Sequence, residues 1–244
     1  MRYMGSKAKL AKQLLPLILK NRTSDQWYVE PFVGGANLID KVTGLRLGND
    51  TNPYLIALLC AVRDGWIPPT ELSQEEYTSI RTNKDAYPPE LVGFVGFPCS
   101  FGGKWFNGYA QSEGRNHIAE GSRALLKQAP ALRGVEFTCG SYLELVIPPK
   151  SLIYCDPPYA NTTAYKDAFD HEVFWEWCRA KTAEGHTVFV SEYGAPEDFT
   201  CICEIQHVTT LNKNAKDARI ERLFTVGNAG GQKDIQMQQG SFIM

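Results

Sequence analysis

The sequence predicts an α/β fold with a mostly parallel, doubly wound sheet that a helical segment interrupts. Short apolar runs alternate with stretches of helical periodicity near both ends of the chain. Two of these runs end in an acidic residue and one leads into a glycine turn, as strands do at the ligand-binding edge of such sheets. Residues 53–132 break the alternation, so we expect a separate helical insert there.

Composition narrows the class of protein. At 244 residues with 43% hydrophobic residues the chain can bury a substantial core, and it has no apolar run of membrane-spanning length. Because no apolar core follows the first residues before Lys7, we expect no signal peptide. A net charge of −2 excludes a wholly basic nucleic-acid binder. Local basic patches fit either a phosphate footprint or solvated helix faces. Seven scattered cysteines without zinc spacing predict reduced thiols and no metal site.

The chain begins with a small-residue segment and a helix. Apolar residues at helical spacing predict a helix within residues 6–20, with Ser6 as its N-cap and Pro16 as a kink or break. Residues 3–7, Y-M-G-S-K, either present backbone amides and the Lys7 ammonium to an anion or form an exposed leader.

The next unit predicts a nucleoside site. A strand at 27–29 runs into the glycine turn of E-P-F-V-G-G and then a helix start, without the G-x-G-x-x-G pattern of a pyrophosphate cradle. A second strand at 45–50 ends at Asp50, where an acid in doubly wound sheets takes ribose hydroxyls. A nucleoside site without a pyrophosphate cradle suits S-adenosylmethionine.

The insert contains helical stretches at 54–63 and 117–128, an acidic, proline-rich segment at 68–90, and a run at 93–109 whose glycines argue against regular structure. One interpretation is a small helical core with tight turns. The other is a substrate-recognition insert whose aromatic and basic groups meet nucleic acid, and both can hold at once. The basic candidates are Lys104, Arg115 and Arg123.

After the insert the α/β pattern resumes and leads to a rigid acidic turn. Predicted elements are strands at 135–138, 152–155, 186–191, 201–209 and 220–226 and a helix at 170–184. The second of these strands stops at Asp156-Pro157-Pro158-Tyr159. The two prolines fix the backbone and hold the Asp156 carboxylate and the Tyr159 ring in place. The turn is either a solvent turn or a clamp for a planar amine.

Four motifs in this order, Y-M-G-S-K, E-P-F-V-G-G, N-D-T-N-P-Y and C-D-P-P-Y, resemble those of Dam-type DNA adenine methyltransferases of bacteria and bacteriophages. The resemblance covers nearly the whole chain. It implies a Rossmann-like methyltransferase sheet, mostly parallel with the last strand antiparallel. It also implies that residues 1–52 and 133–244 form the catalytic domain and residues 53–132 a helical target-recognition insert.

The resemblance also implies site residues. The positions matching the cofactor motifs are Tyr3, Lys7, Glu30, Pro31, Phe32, Gly34 and Asp50, and those matching the catalytic motif are Asp156, Pro157, Pro158 and Tyr159. Asp156 also lies near the cofactor. Val188 to Glu192 resembles the next strand of the family, and Glu221-Arg222 its late E-R pair. The chain departs from the pattern at Ser141-Tyr142, where many relatives carry an acidic-aromatic pair; Tyr142 can still stack on the cofactor adenine.

The activity implied is methyl transfer from S-adenosylmethionine to the exocyclic amine of adenine in double-stranded DNA. The base would be flipped out to stack on Tyr159 while Asp156 and the Pro157 carbonyl accept the amine hydrogens, without a metal. We expect a monomer, with a dimer as the alternative, in the cytoplasm of a bacterial or phage-infected cell. The alternatives are an RNA adenine or DNA cytosine amine methyltransferase, and an inactive DNA-binding relative.

Overall fold

A computed structural model gives the fold of residues 1–158, 169–208 and 218–227. Its centre is a seven-stranded sheet with the order β3-β2-β1-β4-β5-β7-β6. The strands are β1 (Tyr28–Glu30), β2 (Arg46–Asp50), β3 (Val135–Cys139), β4 (Leu152–Cys155), β5 (Thr187–Glu192), β6 (Phe199–Val208) and β7 (Ala218–Val226). Strands β1 to β5 pair in parallel, and β7 is antiparallel to both β5 and β6. The prediction of a mostly parallel sheet whose last strand is antiparallel is confirmed.

The strand order reverses between β1 and β4, which lie side by side in the middle of the sheet. In open α/β sheets ligands bind at the carboxyl ends of the strands where the order reverses. Glu30 is the last residue of β1, and Asp156 follows the last residue of β4. The topology therefore places both carboxylates at the edge where a ligand site is expected.

Six α-helices in the described residues accompany the sheet: α1 (Ala11–Ile18), α2 (Pro53–Arg63), α3 (Gln74–Thr82), α4 (Pro89–Gly96), α5 (His117–Leu132) and α6 (His171–Ala183). Alternate residues of β4 face opposite layers, as the two-residue period of a strand requires. Leu152 and Tyr154 pack into a first core with α1 and part of α2, whereas Ile153 and Cys155 pack into a second core with α6. None of the helices in the part of the chain described is long and apolar enough to cross a membrane.

Helix α2 joins the sheet to the helices of the predicted insert. Its Leu55 and Leu59 belong to the first core, while Leu58 and Val62 belong to a third core shared with α3, α4 and α5. All the named secondary-structure elements described between residues 53 and 132 are helices, as the sequence predicts. The division into a catalytic domain and an insert stays a prediction.

The expectation of irregular structure from residue 93 onwards is wrong for its first residues, because Gly93 and Gly96 lie in helix α4. A Cβ at Gly93 would overlap the carbonyl oxygen of Tyr54 on α2, and one at Gly96 would overlap the Trp105 ring. These glycines let two helices and an indole approach closely, and that gain outweighs the low helix propensity of glycine.

The helix predicted to start after the glycine turn is also absent from this described stretch. Turns lead instead to a short 3₁₀ helix at Ile39–Lys41. Ala36 has a φ of 53°, in the left-handed region, which interrupts any right-handed helix at that point. The chain after β1 therefore forms turns, and no α-helix, before the 3₁₀ helix.

Candidate active site

The N-terminal segment delivers Lys7 to the end of the sheet. The Ser6 side chain accepts a 3.3 Å hydrogen bond from the Ala8 amide and caps a 3₁₀ helix at Lys7–Lys9. The Lys7 side chain is 8% exposed, and its Nζ lies 2.9 Å from Asp156 Oδ1 and 3.4 Å from Glu221 Oε1. Burial alone would lower the Lys7 pKa, but the two carboxylates outweigh it and the pKa is raised. Lys7 is therefore a buried cation between two acids.

Asp156 opens the rigid turn that follows β4. The strand is buried up to Cys155, the Asp156 side chain is 22% exposed, and Pro157 is buried again. The exposed fraction leaves the carboxylate accessible to a ligand while Lys7 holds one of its oxygens. Tyr159, the predicted stacking ring, lies outside the described residues.

Glu30 is a second acid at the same edge, and it is almost completely buried. The Tyr28 hydroxyl donates a 2.9 Å hydrogen bond to Glu30 Oε1. Burial raises the pKa of Glu30 to about 8; the charge of Asp156 acts in the same direction, and the Tyr28 hydrogen bond opposes it. Glu30 therefore retains its proton near neutral pH when no cation is close to it.

Tyr3 covers the glycine turn. A Cβ at Gly34, where φ is 48°, would lie 2.8 Å from Tyr3 Cε1, and one at Gly35 would lie 2.7 Å from Tyr3 Cβ. The Tyr3 ring also contacts Phe97, in the predicted insert, with ring centroids 5.2 Å apart. The turn and the N-terminal segment therefore pack against each other only because these positions lack side chains.

Asp50 closes the other side of this turn. It accepts hydrogen bonds from the backbone amides of Gly34 (3.2 Å) and Asn52 (3.0 Å). Burial raises the Asp50 pKa, while these hydrogen bonds act to lower it. Asn52 in turn caps α2 by accepting from the Tyr54 and Leu55 amides, both at 3.1 Å, which accounts for the N-D-T-N-P-Y motif.

Phe32 and Tyr142 pack together in an aromatic cluster beside the turn. Their ring centroids are 5.1 Å apart, and Tyr142 also contacts Trp177 at 5.3 Å and Phe169 at 5.8 Å. Tyr142 is 8% exposed. Pro31 contributes its carbonyl, which accepts a 3.1 Å hydrogen bond from Asn49. The structure thus joins Tyr142 to Phe32, and stacking of Tyr142 on a ligand ring stays a prediction.

The predicted DNA-binding residues lie in the helical segment between residues 53 and 132. Arg115 forms a two-pronged ion pair with Glu120, at 3.0 and 2.8 Å, and Arg2 binds the same carboxylate at 3.1 Å. Arg123 is exposed on α5, and Lys104 is half-buried after the 3₁₀ helix at Phe101–Gly103. The backbone of that turn meets the N-terminal segment, because the Met4 amide donates to the Gly103 carbonyl at 3.1 Å.

Sequence reasoning missed the part that Glu221 takes in the site. It lies on β7 with only 2% of its surface exposed, on the same face as the core residue Leu223. An acid at an inward position of an apolar strand is the signal that would have revealed it. Across the residues with described positions, no group of three or more His, Cys, Asp or Glu side chains is arranged to hold a metal ion.

Part of the chain that forms this site matches the model of a known protein family. Residues 3–90 match the model of the D12 class N6 adenine-specific DNA methyltransferases, a segment that contains Tyr3, Lys7, the glycine turn and Asp50. This segment of the chain is similar to the D12 class. The resemblance to adenine methyltransferases that the sequence motifs indicate is therefore confirmed.

One similar protein is the Type II methyltransferase M.FokI from Planomicrobium okeanokoites, 25% identical over 206 residues. The match covers 72% of this chain but 31% of that protein, so the chain spans less than a third of its length. Two solved structures described as methyltransferases are also similar. The structure of SMU.472 complexed with SAH is 10% identical, with a TM-score of 0.37, and the match covers 94% of this chain and 54% of that one. The structure of yhhF from Escherichia coli is 9% identical, with a TM-score of 0.38, and the match covers 93% of this chain and 90% of that one.

Proposed function

We propose that this protein is a site-specific DNA methyltransferase that transfers a methyl group from S-adenosylmethionine to the exocyclic amine of adenine. The observation that carries the proposal is the position of Asp156. It stands at the end of β4, where the strand order reverses, and the buried Lys7 holds it at 2.9 Å. The match of residues 3–90 to the D12 class supports adenine as the target.

The residues around the glycine turn fit the methyl donor. S-adenosylmethionine, when bound, supplies an electrophilic methyl group on a positive sulfonium, next to a positive ammonium. The carboxylates of Glu30 and Asp156 would face this charge, and a cation close to Glu30 would favour loss of its proton. Asp50 would take the ribose hydroxyls, and the absence of a Cβ at Gly34 lets the Tyr3 ring pack against the turn beside this site.

The catalytic turn fits a planar amine. The exocyclic nitrogen of adenine is a weak nucleophile because its lone pair is delocalised into the ring. Asp156 and the Pro157 carbonyl, by accepting its two hydrogens, would favour a pyramidal nitrogen with the lone pair directed at the methyl group. This is catalysis by positioning and electrostatics without a covalent enzyme intermediate.

The target base must leave the duplex to reach this edge of the sheet, because the amine is inaccessible inside the helix. Tyr159 would then stack on the extruded base. Double-stranded DNA would lie against the helices between residues 53 and 132, where Lys104, Arg115 and Arg123 would meet phosphates. The direct contact between Tyr3 and Phe97 supports a DNA surface close to the donor site.

The test is methylation of plasmid DNA by the purified protein with labelled S-adenosylmethionine, followed by mass spectrometry of the digested nucleosides. We expect label in N6-methyladenine, and none with Asp156→Ala. Label in methylcytosine or only in RNA would assign a different substrate. An active Asp156→Ala variant would refute the mechanism. DNA binding without any methylation by the native chain would favour an inactive DNA-binding relative instead.

A further inference from the structure

Three charged side chains, two of them buried, form a row at the catalytic turn. Asp156 follows β4, Lys7 lies in the N-terminal 3₁₀ helix, and Glu221 lies on β7. Lys7 Nζ is 2.9 Å from Asp156 Oδ1 and 3.4 Å from Glu221 Oε1. The side chains of Lys7 and Glu221 are 8% and 3% exposed, against 22% for Asp156. Only the end of the row that carries Asp156 reaches the ligand edge.

The cost of burying Glu221 requires an explanation. Taking a carboxylate out of water costs several kcal/mol, and apolar side chains of similar volume often stabilise a protein equally well. Its neighbour on the same face of β7, Leu223, lies in the first core. The Glu221 carboxylate lies 3.4 Å from the Lys7 ammonium, so its benefit is sought in what it does to that lysine.

The chemistry of lysine indicates what that benefit is. An ammonium is a compact charge on a flexible four-carbon stem, with three donors and no fixed plane. Held by Asp156 alone, it could rotate and carry the carboxylate with it. A second acceptor, on strand β7 of the sheet, gives the ammonium a second fixed contact.

We infer that Glu221 is a positioning residue that acts on Asp156 through Lys7. It fixes the Lys7 ammonium, which holds Asp156 Oδ1 and keeps the carboxylate in one orientation for the amine of the substrate. This inference rests on the proposed function. It differs from the role that the sequence motif implies for Lys7, because it makes the lysine a support for the catalytic acid as well as a neighbour of the donor.

The experiment compares single-turnover methylation rates of the native protein with those of Glu221→Gln, Lys7→Met and the double variant, at saturating S-adenosylmethionine and DNA. We expect Glu221→Gln to lower the rate by about 10- to 100-fold, since small misplacements of a catalytic group have effects of that order. Its dissociation constant for DNA should be unchanged. Because Glu221 acts through Lys7, the double variant should be no slower than Lys7→Met alone.

Glu204→Gln is the matched control. It makes the same substitution on the adjacent strand β6, where Glu204 binds Arg222 at the surface at 2.7 Å, and it should keep the native rate. If Glu221→Gln does not fold, as judged by thermal unfolding, Glu221→Asp retains the charge but shortens the reach to Lys7. That variant should fold and still be slower than the native protein.

The outcomes separate the two claims. No methylation by the native protein would remove the proposed function together with this inference. If the native protein methylates DNA, and Glu221→Gln (or Glu221→Asp, where the first variant does not fold) methylates it at the native rate, the inference alone is removed. Multiplicative rate losses in the double variant would also overturn it, because Glu221 would then act independently of Lys7.

Discussion

The hydroxyl of Tyr28 donates a 2.9 Å hydrogen bond to the carboxylate of Glu30, and both side chains are buried at the end of β1. Burial raises the Glu30 pKa from 4.5 to about 8. Between these two values the folded protein binds a proton that the unfolded chain has released, so stability falls as pH rises. We expect the contribution of Glu30 to the free energy of unfolding, measured with urea, to be larger at pH 5 than at pH 8.

The variant Glu30→Gln isolates this effect. A glutamine can keep the hydrogen bond from Tyr28 through its amide oxygen, but it carries no charge at any pH. The variant should therefore lose the Glu30 contribution to the difference between pH 5 and pH 8, and its stability relative to the native protein should be greater at pH 8 than at pH 5. Glu71→Gln, at an exposed acid, should keep the native pH dependence. An unchanged slope in Glu30→Gln would assign the pH effect to other groups.

The packing of Gly93 against Tyr54 makes a prediction about stability. A methyl group at position 93 would overlap the Tyr54 carbonyl and force α4 away from α2. Gly93→Ala should therefore lower the free energy of unfolding by about 1–3 kcal/mol, the usual cost of overpacking, although alanine is the better helix former. Gly194→Ala is the control, since a Cβ there meets nothing within 4 Å. Equal stability of the two variants would contradict the packing argument.

The difference between Gly93 and Asp156 shows how far local sequence patterns reach. The strand before Asp156 is a buried apolar run with a proline stop, so its end and its acid are predictable from neighbouring residues alone. The requirement for glycine at position 93 comes from its contact with Tyr54 in another helix, and no local sequence pattern contains that contact. The same holds for Lys7 and Glu221, which meet only because the N-terminal segment crosses the sheet to β7.

The ion pair of Arg115 changes what is expected of the basic residues in DNA binding. Glu120 already neutralises Arg115, whereas Arg123 is exposed on α5. Each phosphate that a variant no longer neutralises should reduce the slope of log K against log salt concentration by about 0.9. Lys104→Ala combined with Arg123→Ala should therefore flatten the slope by almost two, and Arg115→Ala by less than one. Fluorescence anisotropy with a duplex measures this, and an unchanged slope in the double variant would place the DNA elsewhere.

The close approach of Tyr3 to Gly34 predicts a separation of donor binding from stability. A Cβ at Gly34 would lie 2.8 Å from the Tyr3 ring at a φ of 48°, so Gly34→Ala must displace either the turn or the ring. We expect the dissociation constant for S-adenosylmethionine, measured by isothermal titration calorimetry, to rise at least about tenfold, which is a loss of ~1.4 kcal/mol of binding free energy. Gly44→Ala has the same left-handed strain, with φ of 80°, but its nearest neighbour is Arg22. That control should lose similar stability and bind the donor as the native protein does; equal loss of binding in both variants would show that backbone strain, and not the Tyr3 ring, governs the site.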